Sequence, residues 1–171
     1  MTFRPSSSLF FGFLLAGCAP AGPDAWGEYH GAVTSLLAEN HSLEKHFEAI
    51  AIKVKKKDGS SPDATAVDKR LEEVAIPAAK SLSERASAIE LRDPALAPIH
   101  QLLVDAWATR SSAWVGIDAA WDAKDLTAME TALEQSSQSR LLEDRWFDET
   151  SKALREHGYV LERFPTPPAG G

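Results

Sequence analysis

The stretch Ala106-Trp107-Ala108-Thr109-Arg110-Ser111-Ser112-Ala113-Trp114-Val115-Gly116-Ile117-Asp118-Ala119-Ala120-Trp121 repeats an Ala-Trp pair every seven residues. Seven residues are nearly two turns of α-helix, so the three indoles form one stripe beside a row of alanines. Large against small across a helix contact is how helices pack, which places this segment at the centre of a helical core. An exposed aromatic strip for stacking a cofactor or a sugar is the other reading. The helix opens at Asp93-Pro94 or at Pro98 and runs to about Asp122.

Helical patterning continues on both sides. Downstream, Asp125 to His157 carries Leu126, Met129, Leu133, Leu141, Phe147 and Leu154 as its apolar positions, and Gly158 supplies the stop. Tyr159 to Phe164 is expected to fold back on the helices, and 165–171 to form a disordered tail. Upstream, Ser61-Pro62 reads as a cap and first turn, followed by a face of Val67, Leu71, Val74, Ala78, Leu82 and Ile89. Pro77 interrupts that helix, which predicts a kink or two shorter helices.

The first helix, from Asp24 to about Lys57, places Trp26, Tyr29, Val33, Leu36, Asn40, Leu43, Phe47, Ile50 and Val54 at alternating steps of three and four, a heptad seam. Asp24 suits the N-cap, and Lys53, Lys55, Lys56 and Lys57 suit the negative end of the helix dipole. Links near 58–60, 92–93 and 123–125 are short enough to make successive helices antiparallel neighbours. The expected fold is all-α: an up-down-up-down antiparallel four-helix bundle over 24–164, kinked near Pro77 and ~45 Å long at ~1.5 Å per residue.

The N-terminus reads differently. Thr2-Phe3-Arg4 precedes an apolar run from Leu9 to Leu15, and Leu15-Ala16-Gly17-Cys18 follows. This layout resembles the signal of bacterial membrane lipoproteins. The resemblance implies cleavage between Gly17 and Cys18, a diacylglycerol thioether on Cys18, a signal peptide at 1–17 and a lipidated tether at 18–23. Secretion with an incidental cysteine is the alternative, whereas a spanning helix would need ~20 apolar residues. Ala19, standing where an inner-membrane retention signal has aspartate, points to the outer membrane, periplasmic side. The five residues from Ala19 to Pro23 reach at most ~18 Å, so one end of the bundle sits near lipid and the lysine cluster sits ~45 Å away, beyond the ~10 Å Debye length.

Cys18 is the one cysteine among 171 residues, so lipidation leaves no thiol for disulfides, zinc or nucleophilic catalysis. Removing Arg4 with the signal leaves 17 basic against 25 acidic residues, a net charge of −8. An acidic chain with no basic stripe argues against nucleic acid as a partner. None of the ten glycines falls in a phosphate-cradling pattern, and no G-x-S-x-G elbow or Ser-His-Asp order is present.

Two constellations come nearest to chemistry. The bundle would bring His30, His100 and His157 to its membrane-proximal end, where facing helices could build a metal or haem site. Size and shape are similar to cytochrome c′ and cytochrome b562. However, Ser136-Ser137-Gln138-Ser139-Arg140 stands where a C-x-x-C-H motif would be needed, and the first helix has no methionine ligand. The second constellation is a polar level at mid-bundle. Asn40, Arg110 and Arg140 either fix helix register or line a small-ligand pocket in which the two arginines would bind an anion. These readings converge on a lipid-anchored, non-enzymatic envelope scaffold or binding module with no cofactor, attached to the membrane through Cys18 and open to an envelope protein partner. The alternative is a bundle that binds a small ligand, a metal or haem.

Overall fold

The computed structural model describes residues 24–54 and 69–165, with side chains described at 24–45 and 69–165. Among these residues the chain is helical, with no strand. The four helices are α1 (Ala25–Val54), α2 (Ile76–Ser87), entered through a π-helical turn at Leu71–Ala75, α3 (Ala97–Ala123), entered through a 3-10 turn at Pro94–Leu96, and α4 (Leu126–Glu156). No described helix is long and apolar enough to cross a membrane. Gly17, Cys18, the Ser61-Pro62 start, Val67 and the lysine cluster's side chains lie outside the described residues.

Helix starts follow the sequence closely. Asp24 caps α1 by accepting the Trp26 N–H at 3.1 Å, and Asp125 caps α4 by accepting the Ala128 N–H at 3.0 Å. Asp93 accepts the Ala95 N–H at 2.9 Å with one oxygen and the Trp26 indole N–H at 2.9 Å with the other, so one side chain caps the entry to α3 and ties it to α1. Both prolines at that entry are used: Pro94 opens the 3-10 turn and Pro98 lies in the first turn of α3. α4 ends at Gly158, whose φ of +84° is the left-handed conformation that costs glycine least.

Pro77 perturbs its helix as a π turn. Pro77 has no N–H to give and its ring would crowd the carbonyl four residues back. The preceding turn widens, and the Ile76 N–H donates to the Leu71 carbonyl five residues before it. Widening also turns the helix face. Leu71, Ala75, Ala79, Leu82 and Ala86 are buried, while Val74, expected in the core, is exposed.

The α1 seam is buried at every described position: Trp26, Tyr29, Val33, Leu36, Asn40 and Leu43. The indole stripe is core at Trp107 and Trp114, but Trp121 is 44% exposed, which corrects the reading of three core indoles. A heptad falls about 20° short of two full turns, so the third indole drifts off the buried line in the last turn of α3.

The larger correction is α4. Leu126, Leu133 and Leu141 are exposed, and the buried line is Ala132, Ser139, Trp146, Thr150, Ser151 and Leu154. Close backbone approach selects this small-residue face, because α3 and α4 have the most extensive contact of any helix pair. A Cβ built on Gly116 would lie 3.2 Å from the Ala132 Cβ, so that helix spacing leaves no room for a leucine at either site. Ala106, Ala113 and Ala120, the small partners of the Ala-Trp repeat, are likewise buried.

Side-chain ties set the levels. Glu39 takes both terminal nitrogens of Arg85, at 2.5 and 2.8 Å, and Glu28 pairs with Arg92 at 3.0 Å, linking α1 to α2 and to the loop after it. After α4 the chain turns back along α1: the Tyr159 hydroxyl donates to Asp24, His30 donates to the Val160 carbonyl at 2.9 Å, Leu161 is buried, and Phe164 reaches His41 with ring centroids 4.6 Å apart. Pro165, expected in a disordered tail, is buried, and residues 166–171 lie outside the described region.

Candidate functional site

The histidines come to the same end of the fold but do not converge. His100 is buried, with its Nε2 3.0 Å from the Ala86 carbonyl and its Nδ1 3.2 Å from the Tyr29 hydroxyl. A carbonyl can only accept, so Nε2 carries the proton and Nδ1 accepts from Tyr29, which in turn accepts the Trp146 indole N–H at 3.2 Å. Burial pushes the Tyr29 hydroxyl up to about 12, against the lowering effect of the Trp146 hydrogen bond. Burial also holds His100 below the ordinary imidazole range, against the Ala86 carbonyl. His157 stacks flat on Trp26 at 4.0 Å, and His30 is spent on Val160. Among the described residues no group of three or more His, Cys, Asp or Glu side chains is arranged to hold a metal ion. The three histidines are separate structural contacts, because each lies on a different helix surface with a nearer partner.

Asn40, Arg110 and Arg140 do meet. They line one cavity of about 260 Å³ between α1, α3, α4 and the returning C-terminal segment, together with Leu37, His41, Glu44, Trp114, Ser136, Glu143, Asp144, Trp146, Phe147, Arg163 and Phe164. At its base Arg110 is 4% exposed. Its Nη2 donates to the Asn40 Oδ1 at 2.5 Å and its Nη1 to the Glu143 Oε2 at 3.2 Å, with Glu44 3.7 Å away. The Asn40 amide nitrogen donates to the Glu143 Oε1 at 2.9 Å, closing a triangle across α1, α3 and α4. The guanidinium also lies 5.4 Å from the Trp107 ring centre and 5.7 Å from that of Trp114, close enough for cation–π attraction.

This geometry separates two arginines that were expected to share one role. Arg110 already has its counter-charges, so it organises the level instead of waiting for an anion. Burial raises the Glu143 carboxyl above the usual carboxylate range, and the Arg110 charge opposes that rise. At the mouth, Arg163 pairs with Asp144 and lies over the Phe147 ring at 4.9 Å. Arg140, exposed on α4, has no carboxylate within ion-pair reach among the described residues. The His41 Nδ1 is buried in the cavity wall with no hydrogen-bond partner.

Glu143 and Arg163 were not singled out from sequence, and His41 was read there only as one of a pair with Glu44 on a solvated helix face. A buried arginine demands a carboxylate at its own level, and that demand was the available signal. Helical periodicity alone does not say which of the α4 acids meets it. No protein family, curated protein or solved structure matches this chain.

Proposed function

We propose that this chain is a lipid-anchored, periplasm-facing envelope protein, tethered through Cys18, whose four helices form an up-down-up-down bundle that acts as a non-enzymatic binding module. The observation that carries the binding reading is the cavity built around Asn40, Arg110 and Glu143. A buried ionic cluster is rarely the most stable filling for a core. Here it borders open space walled by Trp114, Phe147 and Phe164, and apolar walls with a few placed polar groups are the usual make-up of a small-molecule site. The ties of Glu28 and Glu39 to Arg92 and Arg85, and of Asn40 to Glu143, support the alternating helix directions.

Native mass spectrometry of the full chain, released from its own membranes in mild detergent, tests this. A small-molecule adduct that disappears when Leu37→Trp fills the cavity is the expected result. A chain that emerges at its unliganded mass, with or without that substitution, argues against a small-ligand module. The exposed Leu126, Leu133 and Leu141 on α4 favour a second reading, a scaffold that docks an envelope protein, since clustered exposed apolar side chains mark interaction surfaces. Cross-linking from these positions to one partner in the native membrane would select it.

A further inference from the structure

Resting on that binding-module reading, we propose that the cavity between α1, α3 and α4 takes a compact organic monoanion, a carboxylate carried on an aromatic or branched apolar body. Size comes first. About 260 Å³ lies just below the ~300–1,000 Å³ of sites for drug-sized ligands, so the occupant is a small acid rather than a nucleotide or a lipid chain.

Charge decides the sign. Three carboxylates and three arginines line the cavity, but the pairing is uneven: Glu143 and Glu44 share Arg110, and Asp144 has Arg163. Arg140 is the wall cation with no carboxylate in ion-pair reach among the described residues, and its proximity disfavours the charge on Arg110, so one added negative charge at the mouth relieves that repulsion. Donors converge there as well. Arg140, Ser136 and His41 all line the same cavity, and a guanidinium fork matches a planar carboxylate.

The walls exclude a bare inorganic anion. Trp114, Phe147 and Phe164 present apolar surface that phosphate or sulfate would leave uncovered, whereas the body of an aryl or branched acid would fill it. Phe164 belongs to the returning C-terminal segment and lies tilted against the His41 ring, so the ligand's far side would be covered by the last described turn of the chain.

Isothermal titration of the detergent-solubilised full chain with phenylacetate, phenylacetamide and phenethylamine tests the assignment. Phenylacetate is expected to bind saturably, the amide and the amine at least ~10-fold more weakly. Arg140→Gln should weaken phenylacetate at least ~10-fold, and Arg140→Lys should recover most of the loss, with circular dichroism unchanged because the side chain is exposed. Preference for phenethylamine, affinity unaffected by Arg140→Gln, or no saturable phenylacetate binding up to ~1 mM overturns the inference. The adduct experiment separates the two failures. A native adduct that Leu37→Trp removes, alongside a negative titration, would leave the binding module standing and retire only the anion.

Discussion

Arg110 is the residue whose surroundings are most demanding, because a guanidinium stripped of water must recover its hydration from neighbours. It does so from Glu143, Asn40 and the faces of two indoles. Glu143→Leu should therefore cost ~3–5 kcal/mol, nearer the lower figure because Glu44 stays 3.7 Å away. The double variant Arg110→Met, Glu143→Leu should recover most of that loss, since charge and counter-charge leave together. Urea midpoints of the three proteins decide it, and a double variant as unstable as the single one would show that the pair stabilises the fold outright. His100 gives a pH prediction. Its folded value is depressed by burial, so the unfolded chain takes up a proton first as pH falls. Stability is full above the unfolded value of 6.5 and declines as pH drops through the folded one. Wild type should lose denaturant resistance as pH falls through 6.5 and below, and His100→Gln should show a smaller loss over the same descent.

At the scale of helices, the distinction between Trp114 and Trp121 is decisive. Trp114→Ala should cost ~3–5 kcal/mol through lost burial and the cavity left behind, whereas Trp121→Ala, at a 44% exposed site, should stay within ~0.5 kcal/mol. Unfolding followed by circular dichroism separates them, and equal costs would mean that the stripe is buried to its end. The three leucines of α4 show why period alone misleads. Leu126, Leu133 and Leu141 share a helix face as a core line would, yet Ala132 and Ser139 are buried instead. A leucine face keeps helices further apart, and the Gly116–Ala132 contact shows how near α3 and α4 have come. Pattern reports which residues share a face; the width of the neighbouring gap decides which face is used.

For the whole molecule, the anchor and the bundle make separate claims. Cys18→Ala should abolish incorporation of a clickable fatty acid and leave the signal uncut, because the thioether is the handle the lipoprotein peptidase recognises and acyl burial anchors at ~0.8 kcal/mol per CH₂. Label retained by the variant would refute the lipoprotein reading. Helix number, the α1 seam, the cap at Asp24, the helix starts near Asp93 and Asp125 and the stop at Gly158 were all legible in the sequence, because helix ends depend on contacts within a few residues of chain. Arg110 and Arg140 could be levelled by counting from the turn between α3 and α4, and Asn40 joined them by lying near the midpoint of its own helix. Only the tertiary structure decided that Arg110 is already neutralised by Glu143, that Arg140 meets no carboxylate among the described residues, and that the expected fold-back of Tyr159 to Phe164 runs along α1 and walls the cavity. These outcomes depend on the distance between helices and on which side chain arrives first at a shared space. Local periodicity carries neither quantity, since both arise from packing among segments up to 123 residues apart, as between His41 and Phe164.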